Sequence, residues 1–139
     1  MHTRQDVVDL TRSWIGTPWV HQGRRAGVGL DCVGLITSAL AVLGEPTSDY
    51  TWYRRAPEGD NLLREIRARF VELPAPEPGS LLVFFIRSRR VAQHIGLLTY
   101  DGTIVHANAA AGRVCEQPYD AEWQRRTLAA FDLTRRATA

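Results

Sequence analysis

The chain changes character at Pro74, Pro76, Pro78 and Gly79. Proline fixes φ and lacks a backbone donor, so three prolines at alternate positions neither continue a helix nor enter the middle of a sheet. Ahead of this connector, apolar residues recur at helical spacing. Val7, Leu10, Thr11 and Trp14, widened by Val8 and Ile15, form one stripe and predict a helix over residues 3–15. Thr3 with Asp6 resembles a capping box, and Gly16 and Pro18 end the helix. Residues 16–30, with Gly16, Gly23, Gly27 and Gly29, show no period and read as a loop. Asp31 caps a second helix over 32–43, stopped by Gly44 and Pro46. Residues 45–58 read as irregular, and Asp60 caps a third helix with Leu62, Leu63, Ile66 and Phe70 inward. Beyond the connector, short runs at 81–87, 93–99, 103–108, 112–117 and 127–133 predict strands. Helices followed by antiparallel strands make an α+β domain rather than a parallel α/β sheet. A length of 139 residues suits one domain, 1–139, with one core.

Charge excludes some functions. Seventeen basic residues against fifteen acidic ones give a net charge of +2, too mild to argue for nucleic acid. No stretch approaches the roughly 18 consecutive apolar residues of a membrane span. Met1 to Asp6 carry charge without an apolar signal core, so synthesis in the cytoplasm without a signal peptide is expected. Cys32 and Cys115 allow one disulfide at most, and in a reducing compartment both are free.

Cys32 carries the chemistry. Asp31 as cap places the thiol in the first turn of a helix, where unpaired N–H groups and partial positive charge favour a thiolate. A thiolate needs a base and a group that orients the base. His2 is expected to be disordered at the terminus, and His21 lies in the glycine-rich loop. His94 begins one predicted strand and His106 ends the next, joined through Asp101-Gly102. A two-residue turn there pairs Leu97 with His106, so the two histidines point to opposite faces. A three-residue loop, Tyr100-Asp101-Gly102, with Gly102 left-handed, sets His106 against Gly96 and Asn108 against His94, so the histidines share a face. A catalytic pairing therefore demands the odd-length loop. Residue pattern alone leaves other readings open: a core cysteine, hydrogen-bonded structural histidines, or a metal site of Cys32, His94 and His106, whose spacing fits no common zinc pattern. Cys115 reads as a buried free thiol, and 120–126, with Trp123, Arg125 and Arg126, as an interface patch or a solvated turn with one packed tryptophan.

Together the segments resemble the NlpC/P60 family of cysteine peptidases, which cut peptidoglycan stem peptides. Gly16-Thr17-Pro18-Trp19 resembles the family's Gly-Thr-Pro-Tyr loop, and Asp31-Cys32-Val33-Gly34-Leu35 its Asp-Cys-Ser-Gly-Leu nucleophile motif. Pro78-Gly79-Ser80-Leu81-Leu82-Val83-Phe84-Phe85 resembles Pro-Gly-Asp-Leu-Val-Phe-Phe; Gln93-His94-Ile95-Gly96 and Val105-His106-Ala107 resemble the two histidine strands. The resemblance implies a papain-like core, with the helix of the cysteine packed on an antiparallel sheet that carries the base. It implies Cys32 as nucleophile, His94 as base and His106 as orienting residue, with Asn108 the alternative third member. Trp19 and Asp31 would border the substrate, and no cofactor or metal is implied. Trp19 replaces the family's tyrosine, Val33 a serine that helps hold the stem peptide's amine, and Ser80 an aspartate read as structural. The short chain, the Asp-Cys-Val-Gly variant and the segment around Trp123 are most similar to the subgroup of phage tails and gene transfer agents. That similarity implies tail assembly proteins as partners and action in the periplasm or wall, the alternative being an inactive structural tail component with the same fold.

Overall fold

The computed structural model describes residues 2–45 and 61–137; the irregular stretch expected beyond Glu45 and the Asp60 cap lie outside them. Helix α1 spans Arg4–Ser13. Its capping box is complete: Thr3 Oγ1 accepts the Asp6 N–H at 3.1 Å, and Asp6 Oδ2 accepts the Thr3 N–H at 2.8 Å. His2 is not disordered but buried, with Nδ1 2.8 Å from Glu45 Oε1, because the chain just past the second helix comes beside the start of α1. The loop expected over 16–30 holds a small hairpin, β1 (Arg24–Arg25) and β2 (Gly29–Leu30). Strands of two residues are too short to leave an alternating pattern in sequence.

Helix α2 spans Cys32–Val42 and buries Val33, Leu35, Ile36, Ala39 and Leu40. Its end is a Schellman motif, in which Glu45 N–H donates to Leu40 O at 2.9 Å and Gly44 N–H to Ala41 O at 3.1 Å. Helix α3 (Asn61–Arg69) buries Leu62 and Ile66. Phe70, expected on that helix, is instead the first residue of β3 (Phe70–Leu73), though it is buried as anticipated.

The other strands are β4 (Leu81–Phe84), β5 (His94–Leu98), β6 (Thr103–Asn108), β7 (Arg113–Pro118) and β8 (Thr127–Arg136), with helix α4 (Ala121–Arg126) between β7 and β8. Six of the strands form one antiparallel sheet in the order β3-β8-β4-β5-β6-β7. The architecture is the expected α+β one, with β3 added at one edge and the strand predicted over 127–133 placed, as β8, between β3 and β4. Ser80, read as structural, closes the turn before β4: its hydroxyl donates to Glu77 O at 2.6 Å and accepts the Glu77 N–H at 3.2 Å.

Side-chain alternation gives the sheet two dry faces. Leu81, Val83, Ile95, Leu97, Phe131 and Leu133 meet Val7, Val8, Val33, Ile36 and Leu40 of the first two helices. On the other face Leu82, Phe84, Leu98, Ile104 and Ala130 pack against Tyr119 and Trp123. No helix among the described residues is long and apolar enough to cross a membrane.

Arg4 ties α1 to the sheet, donating to Asp132 Oδ2 at 2.9 Å and Glu77 Oε1 at 3.1 Å. Burial raises the Asp132 pKa, but hydrogen bonds from Arg4 and Thr134 outweigh it and hold the carboxyl at about 2. A depressed folded-state pKa stabilises the fold above the unfolded value and loses that contribution as pH falls through the folded one. Asp132→Asn is therefore expected to cost about 2 kcal/mol at neutral pH. In urea titrations the gap to the parent should be full above about pH 4 and fade towards about pH 2.

Candidate active site

Asp31 builds the start of α2. Its Oδ1 accepts the Gly34 N–H at 2.8 Å, the first-turn bond of a helix cap. The same carboxylate accepts the Gln22 N–H at 2.8 Å and Arg24 Nη1 at 3.0 Å. Gln22 sits at φ 56, a left-handed conformation that non-glycine residues seldom adopt, so the carboxylate holds a strained loop residue in place. Asp31 is 2% exposed, with its charge spent on the loop and the helix start. Trp19 is half-buried against the cluster of Leu30, Leu35 and Val105, and its backbone N–H donates to Gly112 O at 2.9 Å. Val33 is buried in the core beside Ile36.

The Cys32 thiol takes hydrogen bonding from the N–H groups of Ile95 and Val33. It therefore meets β5 at the peptide that follows His94. The thiolate expected at a helix start is not the resting form. Burial pushes the thiol up to about 12, the Asp31 charge adds to this, and the two N–H groups only partly oppose it. Desolvation outweighs the helix-end field because the sulfur is packed against apolar core.

The β5–β6 turn is the odd-length one. Leu97 pairs with Val105 and Leu98 with Ile104, across Gly102 at φ 74. His94 and His106 thus share a face, with His94 Nε2 2.7 Å from His106 Nδ1. A Cβ at Gly96 would lie 3.1 Å from the His106 Cβ, so the glycine makes room for the second ring. His106 Nε2 lies 2.8 Å from Gln117 Oε1, and Asn108 Nδ2 reaches the same oxygen at 3.5 Å. His106 therefore sits beside His94, while Asn108 stands one layer further out.

Two residues at the site were not assigned to it from the sequence, which read Trp123 only as part of an interface patch or solvated turn. Gln117 comes into place through the β6–β7 register, which sets His106 against Cys115 and Ile104 against Gln117. Trp123 comes from α4, whose Asp120 cap accepts the Trp123 N–H at 3.0 Å. Its indole stands edge-on to His106, with ring centroids 5.1 Å apart, and to Phe84 at 5.0 Å; Phe84 in turn stacks on His94 at 5.9 Å. An Asp–x–x–Trp cap pattern ahead of a basic pair was the available clue.

This enclosure sets the charge state. Burial, then the neighbouring His106, lowers the His94 pKa to about 3, and burial lowers that of His106 despite its bond to Gln117. Thiol and both imidazoles are thus neutral at pH 7. Trp123→Ala admits water to the rings and favours the charged form. The His94 pKa is expected to rise from near 3 towards its ordinary 6.5, read by NMR titration of the ring.

Among curated relatives, "Probable endopeptidase YafL" of Escherichia coli (strain K12) is 32% identical over 99 residues, covering 67% of this chain; the chain spans 34% of that protein's length. The crystal structure of the NlpC/p60 domain of the peptidoglycan hydrolase SagA superposes with a TM-score of 0.67 at 20% identity, covering 95% of this chain and all of that one. RipD from Mycobacterium tuberculosis, described as a non-catalytic NlpC/p60 protein adapted to peptidoglycan binding, superposes with a TM-score of 0.62 at 16% identity, covering 96% and 98%. The family model spans residues 16–132, from the glycine-rich loop through the Cys32 helix and both histidine strands into β8, and on that match this chain belongs to the NlpC/P60 family.

Proposed function

We propose that the chain is a cysteine peptidase that hydrolyses peptidoglycan stem peptides at the bond following D-glutamate. The observation that carries this reading is the 2.7 Å bond between His94 Nε2 and His106 Nδ1, which orients the ring and leaves its Nδ1 open to take a proton. Cys32 gives that proton to His94 as its sulfur adds to the amide carbonyl. First-turn N–H groups of α2 not used by Asp31 stabilise the oxyanion. As the C–N bond breaks, the imidazolium returns the proton to the leaving amine. A water then loses a proton to His94 and attacks the thioester, which releases the acid and restores the thiol. Trp19 borders the stem peptide, and Asp31 contributes through the Gln22–Arg24 segment it holds. The Val33 variant and the segment around Trp123 support carriage by a phage-tail or gene-transfer-agent particle, with action in the periplasm or wall. Incubation with muropeptides, followed by mass spectrometry of the products, tests the reading; release of no fragment would end it.

The neutral thiol favours a second reading, a wall-binding domain without turnover, as RipD is described. Pull-down on insoluble peptidoglycan without release of fragments would support it.

A further inference from the structure

We propose that Gln117 is a positioning residue that selects, through His106, which nitrogen of His94 is the base. The inference rests on His94 being that base. A carboxamide oxygen only accepts hydrogen bonds, so His106 Nε2, 2.8 Å from Gln117 Oε1, carries a proton. A neutral imidazole has one N–H, which leaves His106 Nδ1 as an acceptor. His94 Nε2, 2.7 Å away, must then carry a proton, and His94 Nδ1 is bare. Both rings are held neutral by burial, so the sequence of donors and acceptors has one direction.

Reversal of the carboxamide would reverse the chain. Its NH2 would donate to His106 Nε2, His106 Nδ1–H would donate to His94 Nε2, and His94 would offer the thiol an N–H in place of a lone pair. Two donors hold the orientation: Asn108 Nδ2 at 3.5 Å and the Cys115 thiol at 4.0 Å both point to Gln117 Oε1. Asn108 is itself steadied by accepting the Ala110 N–H at 3.0 Å. Cys115, read in the sequence as a buried free thiol, is half-buried and acts as a donor to the oxygen that sets the tautomers.

The test combines two-bond 15N NMR of the imidazoles with muropeptide kinetics, on the parent, Gln117→Met and Gln117→Glu. In the parent, both His94 and His106 should be in the Nε2–H form. Methionine has similar length without an acceptor of comparable strength, so His106 should become a mixture of tautomers. In that variant kcat should fall about tenfold or more with KM nearly unchanged, as for other groups that orient a catalytic imidazole. Glutamate keeps an acceptor and should return the Nε2–H form. An Nδ1–H His106 in the parent, or unaltered tautomers in Gln117→Met, overturns the proposal. Tautomers that move as expected in a protein that cleaves nothing would remove the peptidase reading, and with it the base that Gln117 is proposed to select. Cleavage with unmoved tautomers would overturn the proposal and leave the peptidase reading standing.

Discussion

Cys32→Ala is expected to lower muropeptide cleavage on the order of 10⁴-fold or more, as removal of a covalent nucleophile does elsewhere. The fold should remain. Cys32 contributes one small side chain to the margin of the core around Val33 and Ile95, and alanine keeps the helix propensity of the first turn. A loss of about 1 kcal/mol would shift the melting temperature by roughly 2–5 °C in a chain of this size. Activity and stability therefore separate cleanly at this residue. Asp31, His94 and His106 should still form their observed bonds in the variant, visible as an unchanged imidazole spectrum. A variant that cleaves as fast as the parent would show that the sulfur attacks nothing.

Gly34→Ala should act in the opposite way, through the fold first. A Cβ there would lie 1.9 Å from the Gly23 carbonyl oxygen and 3.0 Å from Arg24 Nη1. The carbonyl cannot swing aside alone: Gly23 N–H is bonded to Val20 O at 2.8 Å, and Gln22 and Arg24 on either side are held by Asp31. Either the loop or the start of α2 must move. Overpacking of a core costs about 1–3 kcal/mol, and a clash with backbone belongs at or above the upper end of that range. The denaturation midpoint in urea should fall accordingly. Since α2 carries the thiol to β5, activity should fall further than stability predicts. A midpoint unchanged within error would mean that the loop yields at no cost.

Much of the site was legible because short-range chemistry fixes it. Thr3 with Asp6 and Asp31 with Gly34 are caps that act within one turn, so residue type and spacing suffice. The sequence reduced the shared face of His94 and His106 to one local choice between two loop lengths around Gly102, and the register settles it. What stayed hidden depends on distant pairing. Phe70 lies at helical spacing from Ile66 and yet starts β3, because its strand is defined by β8, far along the chain. Gln117 reaches His106 only through the β6–β7 register, and Trp123 only because a one-and-a-half-turn helix folds over that face. The resting charge of Cys32 was misjudged for a related reason. Helix-end polarity is written in the local sequence, whereas the depth at which the sulfur is packed is not.

The place of β8 bears on how the protein is made. Residues 127–136 lie between β3 and β4, so a growing chain that has delivered everything through β7 still lacks the strand that joins the two parts of the sheet. Such non-local pairing is slow to form and must wait for residues 127–136. The helix that lays Trp123 over the histidines immediately precedes that strand. Until residues 121–136 are in place, the two imidazoles lack their aromatic wall. The site is therefore complete only once α4 and β8 have joined the sheet.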